Sequence, residues 1–562
     1  MREKLEQQIA AACKELFQIE DAIELTRPEA QFGDFSTNTA LKLAKQLGKN
    51  PREVAEALTV KLRETLDGQV SKVEIAGPGF INLTLNDEVL LKSLRAKPAR
   101  SLEGQTVVAE YSDPNPFKAL HAGHLYTSIV GDVIANLQEL AGAKVHRANF
   151  GGDVGLHVAK SMWGITKELS GEYPDKLQKV MPDLEFKAKW LAERYVEGHE
   201  AYESDPAAKD EIAILNKRVY ALHEQNDHDS PFARIYWTCR AWSYDYFKHF
   251  YETIGVKPFR FYPESETAPL GITKAQELLK KGVLEESDGA VVFKGEKHDL
   301  HTRVFLTKEG LPTYETKDLG LIFAKYEDYH FDKSLVITGN DIIEYMKVVL
   351  KVVEQVAPEL SAATTHLTHG MVRLAGGEKM SSRTGNVVGA LDIIASAATA
   401  ARAAHAIDDK DTEKATIFGA VKYAFLKNRV GGDIIYNPAE SVSLEGNSGP
   451  YLQYAHARAR SILHKAEKPG SLDSAKLEAG ERLLARKLSE SSEVVDRAVQ
   501  ELMPHHICTY LYELAQVFNR FYEHNRVLGD SREALRLGLV QHYAETLQFG
   551  LQILGMVAPD KM

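Results

Sequence analysis

Two histidines three residues apart, His121 and His124, flank Gly123, and Lys118 stands three residues ahead of them in the run Pro114-Asn115-Pro116-Phe117-Lys118-Ala119-Leu120-His121-Ala122-Gly123-His124. Imidazoles at that spacing share one face of a helix and can donate hydrogen bonds together to phosphate oxygens. Where such a run opens a helix, unpaired N–H groups and the positive dipole end make an anion site. Gly123 removes a side chain that would keep a nucleotide off the backbone, and Lys118 adds a full charge. The chemistry that fits is binding of a polyphosphate and stabilisation of charge on it. The bland alternative for a histidine pair alone is a metal site or a solvated face, so the surrounding elements decide.

Those elements are legible. Thr106-Val107-Val108-Ala109 is a β-branched apolar run that leads to Glu110 and breaks at Pro114 and Pro116. Ile129, Val130, Val133, Ile134, Leu137 and Leu140 then recur at a helical period, and the helix is expected to end near Gly142. Val145 to Phe150 reads as a second strand. A β-α-β unit of this kind places its loop and helix start at the carboxyl edge of a parallel sheet, where ligands bind.

The run His121-Ala122-Gly123-His124 resembles the HIGH signature of class I aminoacyl-tRNA synthetases. Its lead-in from Glu110-Tyr111-Ser112-Asp113-Pro114-Asn115 through Lys118, and Ala148-Asn149-Phe150-Gly151-Gly152-Asp153-Val154-Gly155 after it, resemble the arginyl branch. A second run, Gly376-Gly377-Glu378-Lys379-Met380-Ser381-Ser382-Arg383-Thr384-Gly385-Asn386, is similar to the KMSKS loop. Ser382 there takes the place of the second lysine and Arg383 that of the final serine, and Lys118 stands where arginyl enzymes carry a compensating lysine. The resemblance implies a charge-stabilising set of His121, His124, Lys118, Lys379 and Arg383. It implies ATP bound by Gly123, His121, His124, Lys379, Met380, Ser381 and Ser382.

Substrate selection is expected on Leu311-Pro312-Thr313-Tyr314-Glu315-Thr316-Lys317-Asp318, which opens a helix. Tyr314 and Asp318, four apart, share its face. A guanidinium is planar, permanently charged and met bidentately by a carboxylate. The pair matches the family's arginine-pocket motif. On the same resemblance Glu264 is the expected second acid with Glu266 as its alternative, Glu110 is expected to complete the pocket, and Ser112 and Asn115 are expected to orient the ammonium and carboxylate. Asp341, in the loop after the apolar run Leu335 to Thr338, is a further expected arginine contact, although Asn340-Asp341 departs from the family's usual residues.

The fold implied is α/β: a Rossmann-like class I synthetase catalytic domain with a helical insertion, an N-terminal α+β domain and a C-terminal α-helical anticodon-binding domain. The boundaries are expected at 1–100, 101–390 with the insertion at about 160–255, and 391–562. The N-terminal domain contacts the tRNA elbow in that family. Gly449-Pro450-Tyr451-Leu452-Gln453-Tyr454-Ala455-His456-Ala457-Arg458 resembles the start of the anticodon-binding domain, with Tyr451, Tyr454, His456 and Arg458 as expected tRNA contacts, since aromatics and arginine take up splayed bases. The aromatic stripe Tyr236, Trp237, Trp242, Tyr246 and Phe250 is expected to be core, and Thr368 to Leu374 a single strand.

Composition sets the remaining bounds. The chain has 562 residues, 44% apolar and 26% charged, and no run long enough to span a membrane. Three scattered cysteines (Cys13, Cys239, Cys508) form no zinc cluster or disulfide framework, so a cytoplasmic protein without structural zinc is expected. The net charge of −11 runs against an RNA partner in total, but RNA needs only a local basic face. The substrates implied are L-arginine, ATP with Mg²⁺, and tRNA(Arg), with no DNA, no membrane, and a monomeric enzyme.

Overall fold

The computed structural model describes residues 1–180, 183–375, 388–404, 409–473 and 476–562. Its centre is a five-stranded sheet in the order Thr364–His369, Lys333–Gly339, Thr106–Glu110, Lys144–Gly151, Arg260–Pro263, every neighbour parallel. The chain starts in the middle, runs outward to one edge, and returns to build the other. The strand order therefore reverses between Thr106–Glu110 and Lys333–Gly339, and the crevice beyond their carboxyl ends is where an open α/β sheet takes its ligand. These strands are buried on both faces, which explains why Val107, Val108, Ala109, Leu335, Val336 and Ile337 form continuous apolar runs.

The helix Ala122–Leu140 follows the first strand as its periodicity predicts. It is buried nearly all round, because the sheet lies on one side and the C-terminal helices Ala390–Ala404, Lys410–Leu426 and Ser491–Glu501 pack on the other. Between the second and third strands, the helices Leu156–Glu168, Leu184–Ser204, Pro206–Glu224 and Pro231–Ile254 form the insertion. Its aromatic stripe is largely core: Tyr236, Tyr246 and Phe250 are buried, and Trp237 and Trp242 half-buried.

The expected strand Thr368 to Leu374 is two strands. Thr364–His369 belongs to the central sheet, whereas Val372–Leu374 pairs with Ile434–Tyr436. The break falls at Gly370, where a Cβ would lie 2.4 Å from the Gly432 backbone. Close backbone crossing, invisible in the local pattern, turns the chain there.

At the N-terminus, Val70–Ala76, Phe80–Leu85 and Phe35–Thr37 form an antiparallel sheet against three helices. This domain is clasped to the C-terminal helices by charge. Asp34, buried, accepts from the Leu85 N–H at 2.7 Å and from Arg482 at 2.6 Å, while Arg27 reaches Glu493 at 2.6 Å and Arg482 also holds Asp87. None of the described helices is long and apolar enough to cross a membrane.

Candidate active site

His121 and His124 sit at the carboxyl edge of the sheet, and their side chains build the helix start they stand on. His121 is the N-cap, and its Nδ1 accepts from the Gly123 N–H at 3.1 Å. His124 folds back so that its Nδ1 accepts from the His121 N–H at 3.2 Å, which completes a capping box. The rings stack with centroids 3.7 Å apart. With both Nδ1 atoms accepting, each proton resides on Nε2, so the two Nε2–H groups are the donors left for a ligand. Burial, reinforced by the Lys118 charge, lowers His121 to about 4. Burial, with His121 and Lys118 adding to it, holds His124 well below the usual imidazole value. Both are held as neutral imidazoles beside the Lys118 charge.

Gly123 has a role that the sequence reading did not give it. A Cβ there would lie 2.9 Å from Cε1 and Nδ1 of His121, so the glycine makes room for the capping ring. Gly123→Ala is expected to dislodge His121 and lower the rate of adenylate formation by about 10–10² with the fold retained, since a misplacement of about 1 Å costs that much. Single-turnover kinetics beside a circular-dichroism melt measures it. The histidines also set an acid limit to stability. Folded His121 titrates near 4 and unfolded histidine near about 6.5, so the unfolded chain binds the proton first as pH falls. The contribution is whole above about pH 6.5 and lost on the way down to about pH 4. Urea midpoints should therefore drop between about pH 7 and about pH 5, and by less in His121→Asn.

The loop before the helix is held in unusual backbone. Ser112, Asp113 and Phe117 have φ of 78°, 48° and 68°, left-handed values that cost non-glycine residues energy and cluster at functional sites. Neighbouring elements enforce them. Asp113 accepts from the Phe150 N–H at 2.7 Å, Ser243 Oγ accepts from the Phe117 N–H at 3.0 Å, and Tyr251 Oη lies 2.9 Å from Ser112 Oγ. Ser243 and Tyr251 come from the insertion's last helix. Ser112 is buried and also bonded by Ser128 at 2.8 Å, and the Asn115 side-chain Oδ1 accepts from the Gly152 N–H at 2.8 Å.

Beside this loop lies a buried cluster of acids. Asp318 (9% exposed) and Glu264 (3% exposed) join Glu110 and Asp113. Two lysines answer part of that charge: Lys317 donates to Glu264 at 2.5 Å, and Lys325 donates to Glu110. Asp318 has no hydrogen bond or ion pair among the described residues. Burial first, then the Glu110 and Glu264 charges, raise its carboxyl well above the usual range, and burial with Glu110 does the same to Asp113. Tyr314, at the start of the same helix, is exposed and stands over Lys317, ring centroid 5.3 Å from Nζ. Glu266 lies out on the surface beside Arg260, so Glu264 is the acid in the cluster.

Electrostatic contacts run unbroken from the histidines to the acids: Lys118 acts on His121 and on Glu264, and Glu264 on Asp318. Lys118 also lies under the Tyr195 ring of the insertion, at 4.6 Å. Asp341, exposed, is placed differently from expectation. Its charge acts on His121 and His369, which puts it at the histidine end of the site. Lys379, Met380, Ser381, Ser382 and Arg383 lie outside the described residues.

The expected RNA contacts separate. Tyr454 is 43% exposed, and Arg458 lies over the Tyr522 ring at 4.8 Å. Tyr451 is half-buried and accepts from Asn519 at 2.9 Å. His456 is a correction: its ring is fully buried, with Nδ1 2.9 Å from the Pro559 carbonyl, so it packs the C-terminus and is not available to stack on a base. Sequence reasoning missed Lys317 and Lys325. Lys325 follows Asp318 by seven residues, hence on the same helical face, and that spacing was the available signal. Nothing local marks Ser243 or Tyr251. Among the described residues no group of three or more His, Cys, Asp or Glu could hold a metal ion.

The family described as tRNA synthetases class I (R), catalytic domain, matches residues 86–437. The arginyl tRNA synthetase N terminal domain matches 3–85, and the DALR anticodon binding domain 452–562. An arginine–tRNA ligase of Porphyromonas gingivalis is 30% identical over 100% of this chain and 99% of its own. One of Pasteurella multocida is 32% identical over 96% and 98%. The solved Thermus thermophilus arginyl-tRNA synthetase has a TM-score of 0.81 at 26% identity and covers 100% of both chains.

Proposed function

Because the chain belongs to the arginyl branch of the class I aminoacyl-tRNA synthetases, we propose that it activates L-arginine with ATP and transfers it to the 3′ end of tRNA(Arg). The arginine carboxylate attacks the α-phosphorus of ATP, the bond to the β-phosphate oxygen breaks, and pyrophosphate leaves. A hydroxyl of the terminal ribose then attacks the adenylate carbonyl and AMP departs. No protein nucleophile is required, so catalysis is positioning and charge stabilisation.

The observation that supports the reading is Asp318, a buried carboxyl with no hydrogen bond or ion pair among the described residues, within the acid cluster and on the helix that Tyr314 opens. Among the described residues Lys317 and Lys325 are taken by Glu264 and Glu110 while Asp318 has no ion pair, and a guanidinium supplies positive charge in a geometry that a carboxylate meets with paired hydrogen bonds. Glu264 and Glu110, each already holding a lysine, shape the field around it. Asn115, whose amide NH₂ has no partner among the described residues, and Ser112 orient the amino acid's polar end. The Nε2–H groups of His121 and His124 and the Lys118 ammonium meet the phosphates, with Lys379 and Arg383 from the second signature, and Gly123, Met380, Ser381 and Ser382 complete the ATP contacts. Asp341, at the histidine end, fits the nucleotide side better than the guanidinium. Mg²⁺ arrives on ATP, held by its phosphates.

For the tRNA, residues 1–100 meet the elbow, 101–390 carry the chemistry, and 391–562 receive the anticodon, with Tyr451, Tyr454 and Arg458 as contacts. A single chain supplies every residue invoked, in keeping with a monomer, and three free buried cysteines suit the reduced cytoplasm. The test is charging of total tRNA with each of the twenty amino acids. Arginine alone should form an aminoacyl ester; a second amino acid at comparable rate overturns the substrate assignment.

A further inference from the structure

The helix Glu264–Lys280 begins with an acid of the pocket and has no cap of its own: Pro263 occupies the N-cap, and no side chain there accepts a bond. Its cap comes from the neighbouring strand. Asp153, fully buried two residues past the end of Lys144–Gly151, accepts from the Ser265 N–H at 2.9 Å and from Ser265 Oγ at 2.7 Å. A carboxylate at a helix N-terminus satisfies its orphan N–H groups and the positive end of its dipole. The same carboxylate receives Arg240 Nε at 2.8 Å from the insertion's last helix, and the Asp153 carbonyl accepts from Tyr236 Oη at 2.8 Å. Arg240 is boxed by the rings of Trp237 and Tyr244, 5.4 and 4.8 Å from its Cζ. Two residues further on, Gly155 lies against Lys317, the partner of Glu264: a Cβ built there would sit 3.4 Å from its Nζ.

We propose that Asp153 is a positioning residue for arginine selection: by capping the helix at Ser265 it fixes the adjacent Glu264 carboxylate in the pocket, and through Arg240 it ties that setting to the insertion. This rests on the reading of Glu264 as a pocket acid. The Asp153 carboxylate acts through Ser265 and Arg240. Its buried charge is answered by one arginine and two helix-start donors, and each of those donors belongs to an element that borders the pocket. The insertion is thereby part of the amino-acid site even though it supplies no acid to it.

The test is steady-state ATP–pyrophosphate exchange in the presence of tRNA on the full chain, for Asp153→Asn, Glu264→Gln and the double variant. Asparagine keeps an oxygen for Ser265 but loses the charge that pairs with Arg240. The arginine KM of Asp153→Asn is expected to rise about tenfold, in the range of couplings within one hydrogen-bond network, with the ATP KM changed less than about twofold. In the Glu264→Gln background the same substitution should add almost nothing. Equal increases in both backgrounds, or a parallel rise in the ATP KM, overturn the proposal in favour of a general structural role. A normal arginine KM for Glu264→Gln overturns the Glu264 reading and the proposal with it. Should Asp153→Asn fail to fold, Ser265→Ala, which removes one of the two bonds, is expected to shift the arginine KM alone by about twofold to fivefold; no shift, or an equal one for ATP, counts against the proposal.

Discussion

Asp318→Asn is expected to lower kcat/KM for arginine by about 10²–10³, through the arginine KM, while the ATP KM stays near its original value. Removing one partner of a desolvated, hydrogen-bonded charge pair costs about 3–4 kcal/mol, and each 1.4 kcal/mol is about tenfold. The neighbours sharpen the expectation. Lys317 and Lys325 are committed to Glu264 and Glu110, while Asp318, on the helix that Tyr314 opens, has no ion pair among the described residues. The same substitution should stabilise the substrate-free protein, because Asp318 is held buried among like charges and has no ion pair among the described residues, so removing its charge relieves that repulsion. The sign of the pH effect follows. A carboxyl raised well above its usual range is protonated first as pH falls, so arginine affinity rises with pH through that range and folding stability from this group declines. Isothermal titration with arginine across pH, beside thermal melts of the variant, checks both. Unchanged arginine binding in Asp318→Asn removes this residue from the pocket.

His124→Ala is expected to lower kcat for pyrophosphate exchange by about 10²–10³ with little change in the arginine KM, the usual consequence of deleting one preorganised donor to a developing phosphate charge. A smaller structural effect accompanies it. The ring also accepts from the His121 N–H at 3.2 Å, so its loss removes half of a capping box, worth about 1 kcal/mol. Folding should survive, since the helix is buried along its length. Single-turnover adenylate formation and a urea titration separate the two. Near-normal turnover in this variant takes His124 out of the mechanism.

The parts of this account that the sequence revealed are those that depend on local pattern. The β-α-β unit and the helix Ala122–Leu140 follow from period and spacing, whereas Tyr314 and Asp318 stand out only through the family resemblance, since such a pair alone reads as a solvated face. The choice between Glu264 and Glu266 follows from neither. Both stand in the first turn of one helix, and only the fold shows that the first turns inward to Lys317 while the second meets Arg260 at the surface. The histidines were legible as a pair at a helix start, yet their neutral Nε2–H form follows from which groups bond to Nδ1. His456 looked like its neighbours Tyr454 and Arg458 because a run of polar and aromatic residues does not record which side of a helix the C-terminus covers. Tyr251 and Asp153 act across 139 and 112 residues of chain, and pattern within a window cannot reach that far.

The central claim is that the acid cluster around Asp318 selects a guanidinium for activation at the histidine site. ATP–pyrophosphate exchange with each of the twenty amino acids, with and without tRNA, tests it most directly. Exchange with arginine alone is the predicted result, and its dependence on tRNA shows whether activation awaits the second substrate. Exchange with a different amino acid, or none with arginine under either condition, contradicts the account.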